Sequence, residues 1–377
     1  MIVWKSSETR PVNRVAIAGD FLPASGLQLP EGKTWADVGA GLARYFVSAD
    51  VGILNLECCV DVGENKPRPK LGLGDSFEAK SDVLTLPLSL GTKIVGVANN
   101  HIYDFGEEGL HRTREALERW GLVPLGTGRK LSEIPDVVVA ATANGLRVGV
   151  WASARHLSDA ATRKNAGIEP ATRSRGQEAL KALEDRGAAL KIAFLHAGLE
   201  RTNRPDPDDV GFMDDLARMG FDVVTACHSH RISGYKEVRR PHASSAFCFY
   251  GLGSVSSGVI YSDFEREGIV VVLGIDPAGS LVRIEVQPVF LEQTGWGRIP
   301  PVSAAYRILE RFRLLSAEIA EGTYKQRFYA DVRSHLLRRQ FRDMQAALQN
   351  GGLRGLATKL GRVRIRHLNR ALHHGSS

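Results

Sequence analysis

The sequence predicts an α/β layered domain. Short apolar runs alternate with helical stretches, and run after run ends on a side chain able to bind a metal ion. Val15-Ala16-Ile17-Ala18-Gly19 leads to Asp20, Val51-Gly52-Ile53-Leu54 to Asn55 and Glu57, and Ile94-Val95-Gly96-Val97-Ala98 to Asn99, Asn100 and His101. Ile192-Ala193-Phe194-Leu195 then leads to His196, and Val223-Val224-Thr225-Ala226-Cys227 to His228 and His230. Apolar runs of this length suit strands buried on both faces, as in a mostly parallel sheet covered by helices. Ligands of such sheets sit beyond the carboxyl ends of the strands, so five strand ends are expected to meet at one site.

The intervening helices are expected from Trp35 to Phe46, Gly109 to Trp120, Arg175 to Arg186 and Asp208 to Met219. Ser245 to Tyr250, Gly268 to Ile275 and Leu281 to Phe290 follow one another closely. Asp276-Pro277-Ala278-Gly279 forms a turn between the last two, which makes an antiparallel hairpin the expected close of the domain.

The residue types at the strand ends suit metal chemistry. A carboxylate can bridge two cations, imidazole ligates zinc, manganese, iron or cobalt, and an amide oxygen adds a neutral hard donor. Asp20, Glu57, Asn100, His196, His228 and His230 exceed what one tetrahedral ion needs. Two divalent ions roughly 3.5–4 Å apart, Mn, Zn, Fe or Co, would use them all and could hold a hydroxide between them. In an extended segment, His228 and His230 would point the same way.

At these residues the chain resembles the CapA family, the capsule and poly-γ-glutamate synthesis proteins within the calcineurin-like metallophosphoesterases. The resemblance runs over about residues 14 to 290 and rests on five motifs in order. These are Gly19-Asp20, Asn55-Leu56-Glu57, Ala98-Asn99-Asn100-His101-Ile102-Tyr103-Asp104-Phe105-Gly106, His196-Ala197-Gly198-Leu199-Glu200 and Cys227-His228-Ser229-His230. It implies a four-layer α/β/β/α sandwich with the metal site where two sheets meet. It also implies that Asp20, Glu57 and His230 hold one metal, that Glu57 bridges to a second held by Asn100, His196 and His228, and that His101 is the general acid. Two departures from the ordinary metallophosphoesterase pattern stand out: Asp20-Phe21-Leu22 replaces Asp-x-His, and Glu57 stands where an aspartate is usual. The missing histidine could leave the first metal weakly held.

Neighbouring residues carry open alternatives. Asn99 would cap the turn while Asn100 binds. Asp104 is a second catalytic candidate, orienting His101, or else caps the helix after it, and the cap is the favoured reading. Asn55, Lys66, Arg68, Lys70 and Arg201 are candidate substrate contacts. Lys66-Pro67-Arg68-Pro69-Lys70 sets three cations in a proline-stiffened loop, and Arg201 and Arg204 follow the His196 motif. An anionic substrate (a phosphoester, polyglutamate or a peptide) would explain them, as would a solvated charged loop. Gly251-Leu252-Gly253-Ser254-Val255 resembles the family's strand-end loop and lacks the Lys-Ser/Thr ending of a nucleotide P-loop.

Composition bounds the class. At 377 residues and 43% hydrophobic content the chain can bury a large core, and Pro300-Pro301 divides a domain at residues 1–300 from a helical region at 301–377. The latter carries 15 Lys and Arg against five Asp and Glu, a balance of +10; the whole-chain +7 therefore leaves −3 for residues 1–300. Its segments Ala304 to Ile319, Phe328 to Gln349 and Leu353 to Leu372 have helical spacing. The last alternates Arg with apolar residues, which suits an anionic membrane surface or a polysaccharide-pathway protein, or simply a solvated helix packed on the domain. Nucleic acid is the third choice, since no fold or aromatic pattern for it is recognisable.

Residues 1–14 lack the apolar core of a secretion signal, and no run of about 18 apolar residues occurs. Cys58, Cys59, Cys227 and Cys248 form no spaced disulfide framework. Cys58 and Cys227 flank proposed ligands and are open to a thiolate role in metal binding, with small apolar packing the favoured reading. A cytoplasmic protein is the expectation, with a peripheral position at the membrane open to it. The leading functional expectation is a dinuclear-metal hydrolase in capsule, poly-γ-glutamate or polysaccharide biosynthesis. A metal-dependent peptide epimerase of the lasso-peptide type and a non-catalytic capsule-assembly factor are the alternatives.

Overall fold

The computed structural model describes residues 1–6, 12–23, 27, 29–68, 75–128, 130, 137–155, 159–162, 165–240 and 244–333. In chain order the first half holds strands β1 (Ile2–Lys5), β2 (Asn13–Leu22), β3 (Val51–Leu56), β4 (Thr92–Gly96) and β5 (Val123–Leu125), with helices α1 (Trp35–Ala43) and α2 (Gly106–Arg119). Strands β6 (Val137–Ala141), β7 (Arg147–Ala154), β8 (Leu190–Ala197) and β9 (Val223–His228) follow, with α3 (Arg173–Asp185) and α4 (Pro207–Met219) between them. Then come β10 (Tyr235–Val238), β11 (Ala246–Phe249), β12 (Ser254–Ser257), β13 (Glu267–Ile275), β14 (Leu281–Leu291), β15 (Gly297–Arg298) and α5 (Val302–Glu321).

These strands form two large sheets. The first runs β1-β14-β13-β2-β3-β4-β5, with β12 also paired to β2 and β15 to β14; the second runs β10-β11-β9-β8-β7-β6. The centre of each is parallel, β2 to β5 in one and β7, β8, β9 and β11 in the other. The antiparallel hairpin expected near the end of the domain is β13 with β14.

Alternation along each strand builds the layers. Val15, Ile17, Ile53 and Ile94 face inward, where Val150, Ile192, Phe194 and Phe249 of the second sheet meet them. Ala16, Leu54 and Val95 face outward, against Leu42 of α1 and Leu110 and Leu117 of α2. On the far side, Trp151, Ala193 and Val224 pack under Leu183 of α3 and Met213 and Leu216 of α4. The order is helix, sheet, sheet, helix, the α/β/β/α sandwich. Because both faces of each central strand are buried, their sequences read as continuous apolar runs.

The expected helices are present with ends shifted by a few residues, and local chemistry explains them. Thr34 and Asp37 form a capping box that starts α1. Thr172 caps α3, and Asp206 caps α4 with Pro207 at its first position.

Helix α5 closes the open edge between the sheets. Ile308, Phe312 and Leu315 enter the inter-sheet core, and Phe312 stacks on Tyr235 and Phe249 at 5.7 and 6.4 Å between centroids. Residues 324–333 continue as helix with Tyr324 and Phe328 buried. The segments expected at Leu353 to Leu372 and over the rest of Phe328 to Gln349 lie outside the described residues. Among the described residues no helix is long and apolar enough to cross a membrane.

Candidate metal centre

The two parallel sheet centres bring their carboxyl ends to one place. At Asp20, β2 exchanges its neighbour: antiparallel β13 pairs with Asn13–Ala18, and parallel β12 takes over from Asp20. The Asp20 N–H donates to the Gly253 carbonyl at 3.1 Å, at the start of β12. A Cβ on Gly19 would lie 1.9 Å from that oxygen, so only glycine lets the chain come this close.

Asp20 is fully buried, and its carboxylate has three partners. Oδ1 accepts from the Asn55 side chain at 2.8 Å, and Oδ2 accepts from the His228 backbone N–H at 3.1 Å and faces His230 Nδ1 at 3.2 Å. Glu57, just past β3, is equally buried, yet neither carboxylate oxygen has a hydrogen bond. Its Oε1 lies 3.5 Å from His196 Nε2 and 3.7 Å from His230 Nε2. The amide oxygen of Asn100, after β4, lies 2.7 Å from His196 Nε2. His228 Nδ1 is buried without a partner, and the His196 and His228 rings lie 4.4 Å apart.

Three groups of donors emerge among the described residues, each within 4.8 Å: Asp20 with Glu57 and His230, Glu57 with His196 and His228, and Asp20 with His196 and Cys227. Glu57 belongs to the first two. A buried carboxylate with no donor costs several kcal/mol unless a cation supplies what is missing, on the order expected for unpaired buried charge. The unsatisfied oxygens of Glu57 and the bare His228 Nδ1 therefore fit divalent-cation binding in donor type.

The electrostatics agree. Burial pushes the Glu57 carboxyl well above its ordinary range, with Asp20 adding to the push and His230 opposing it. Burial would also raise Asp20, but the His230 imidazole outweighs it and holds Asp20 low. Burial pulls His196 well down and His228 to about 4, so both offer lone pairs at neutral pH. His230 is pushed up to about 10, because Glu57 and Asp20 overcome the cost of burying its charge.

Several expected roles change in detail. His228 and His230 do not share one extended segment: β9 ends at His228, and the two residues have φ of 107° and 53°. This left-handed turn, costing about 1–3 kcal/mol per residue, replaces strand alternation in setting the two rings. Asp104 does not cap α2, whose first turn has no side-chain cap. Its Oδ2 lies 2.8 Å from His101 Nδ1 and accepts the Phe77 N–H at 2.9 Å. Asn99 takes the turn, accepting the His101 and Ile102 N–H groups at 3.1 and 3.0 Å.

Asn55 is 1% exposed, and its amide is engaged by Asp20 and Asn99, so it orients a carboxylate and offers no face to a substrate. Arg204 is engaged elsewhere as well, paired with Glu318 at 2.8 Å and Asp331 at 3.0 Å. Lys66 is exposed. Arg68 pairs with Asp159 at 2.7 Å over the Tyr103 ring, and its backbone N–H donates to the Asp104 carbonyl. Lys70 lies outside the described residues. Arg201 has φ of 64° and donates its N–H to the Ser229 carbonyl, between the two histidines.

Cys227, whose place beside proposed ligands left a thiolate role open, has its thiol 3.6 Å from His196 Nδ1. Sequence reasoning passed over Phe77, whose ring sits 4.3 Å from that of His101. It also passed over Tyr261, which stacks on Arg201 at 3.5 Å. An isolated aromatic in a loop has no periodicity to betray it. All four cysteines are buried and free.

Comparison with known proteins finds relatives over most of the chain. The chain is 21% identical over 286 residues to the capsule biosynthesis protein CapA of Bacillus anthracis, covering 74% of this chain and 67% of that one. It is 27% identical over 273 residues to a probable polyglutamine synthesis accessory protein of Mycobacterium tuberculosis, covering 67% and 69%. Among solved structures, the 5'-nucleotidase precursor from Thermus thermophilus aligns at 16% identity with a TM-score of 0.46; the alignment covers 80% of this chain and 58% of that one. The family model described as bacterial capsule synthesis protein PGA_cap matches residues 14–258, a span that takes in every strand end at the site. This chain belongs to that bacterial capsule synthesis protein family.

Proposed function

We propose that the protein is a dinuclear-metal hydrolase acting on a phosphoester or other anionic substrate in the making of a capsule, poly-γ-glutamate or related surface polymer. The observation that carries this reading is the Glu57 carboxylate, buried between two sets of imidazoles with both oxygens unsatisfied. The names of the relatives support the polymer setting. Asp20, Glu57 and His230 would hold one ion, and Glu57, Asn100, His196 and His228 the other. Bound there, two divalent ions would lower the pKa of a shared water and polarise the oxygen of the scissile group.

The chain's own residues do the rest. Asn55 fixes Asp20, and Asn99 fixes the turn that presents Asn100 and His101. Asp104, held by the Phe77 N–H, keeps His101 Nδ1 occupied, which assigns proton donation toward the leaving oxygen to Nε2. His101 is 8% exposed, so the proton it gives is shielded from bulk water.

The test is phosphate release from model esters by protein loaded with manganese or zinc. His101→Ala should keep its metal and lose turnover about 10²–10⁴-fold. Full turnover in that variant would overturn the role of His101. Deuterium uptake at an α-carbon without bond cleavage would replace hydrolysis with epimerisation.

A further inference from the structure

Tyr261 is 58% exposed and carries the Arg201 guanidinium on its face at 3.5 Å. Both partners are tied to the segment that bears the metal-site histidines. The Arg201 N–H donates to the carbonyl of Ser229, the residue between His228 and His230, at 2.9 Å. On the other side, Arg231 reaches Glu265 at 3.1 Å, and the same buried carboxylate accepts the Tyr261 N–H at 2.6 Å. Arg201 is held in place on a left-handed backbone, φ 64°, a conformation that costs a non-glycine residue energy. The other arginines nearby are paired with acids: Arg68 with Asp159, Arg155 with Asp209, Arg204 with Glu318 and Arg231 with Glu265. Among the described residues Arg201 has no carboxylate within ion-pair distance; the neighbouring Glu200 carboxylate acts on it only at longer range, as it does on His228 and His230.

A guanidinium flattened on an aromatic ring keeps its N–H edge for a planar oxyanion and has already lost much of its rotamer freedom. We infer that Arg201 and Tyr261 form an oxyanion subsite beside the metal centre, which reads a second anionic group of the substrate, beyond the one that reacts. This rests on the proposed placement of substrate at the metal centre. It implies a substrate bearing at least two anionic groups, such as neighbouring units of a polycarboxylate or polyphosphate chain. Tyr261 sets the plane of the guanidinium, and Arg201 supplies charge and hydrogen bonds.

Isothermal titration of metal-loaded protein tests this with two probes, a γ-linked glutamate tetramer and tripolyphosphate; which one binds identifies carboxylate or phosphate as the source. Arg201→Gln should weaken the bound probe at least tenfold, Arg201→Lys should restore only part, because it keeps charge without the plane, and Tyr261→Leu should fall between. Metal content, read on the same samples, should equal the parent's, which separates the two readings: a parent that holds no metal overturns the metal reading on which the subsite rests, whereas metal retained with probe binding unchanged in Arg201→Gln overturns the subsite alone. Equal binding by parent and Arg201→Gln, or no binding of either probe to the parent, overturns the subsite.

Discussion

His230 carries the clearest consequence at the level of single residues. In the metal-free protein its pKa stands at about 10 against an ordinary 6.5, held up by Glu57 and Asp20 against the cost of burial. A folded pKa raised in this way gives stability that is complete below 6.5 and is lost as pH rises through about 10. A metal ion bound at His230 must displace that proton, so metal binding should release protons and tighten as pH rises from neutrality. Titration calorimetry in buffers of different ionisation enthalpy reads the proton count, and a count of zero at pH 7 would contradict it.

The same scale shows what the sequence could and could not disclose. Asp20, Glu57, Asn100, His196 and His228 were legible because each follows an apolar run, and strand ends of a buried parallel sheet converge. Asp104 was not, because capping and orienting a histidine three residues away use the same local spacing. The partners of Asn55 and Arg204 were hidden for a different reason: Asn99, Glu318 and Asp331 lie 44, 114 and 127 residues away. Pairings of that range follow from how the sheets and helices meet, which no local pattern records.

Among the elements, α5 has the least expected role. The break at Pro300-Pro301 reads as a boundary, yet α5 drives Ile308, Phe312 and Leu315 into the core shared by both sheets. Phe312 is fully buried in its stack with Tyr235 and Phe249. Phe312→Ala should cost about 3–5 kcal/mol, measured by urea unfolding; a loss under about 1 kcal/mol, the range of a surface change, would mean that α5 is not part of the core. Gly234 meets the same helix, and a Cβ there would lie 2.4 Å from the Ser316 backbone nitrogen. Gly234→Ala should therefore push α5 outward and lower stability although it adds apolar surface, an outcome the same unfolding experiment reads.

Across the whole molecule, the candidate metal centre is where polar groups of the two sheets meet, since Asp20 and Glu57 come from the first and His196, His228 and His230 from the second or the turn after it. Without a cation, Glu57 is a buried carboxylate lacking a hydrogen bond, so chelation should loosen the whole sandwich. Saturation at 100 times the dissociation constant stabilises by about 2.7 kcal/mol. Chelator should accordingly lower Tm by several degrees, and a Tm indifferent to chelator and to added manganese or zinc would count against a structural stake in the metal. At the other end, Arg204 ties the segment after the His196 motif to the helical region that follows Pro301, through Glu318 and Asp331.

The most direct test of the account is elemental analysis of protein purified without chelators, beside Glu57→Ala and His228→Ala. The two donor groups that share Glu57 predict about two transition-metal ions per chain in the parent and a sharp drop in both variants, with Glu57→Ala the emptier because it serves both positions. A parent that takes up no metal even after reconstitution with manganese or zinc, or variants that keep the parent's content, would contradict it.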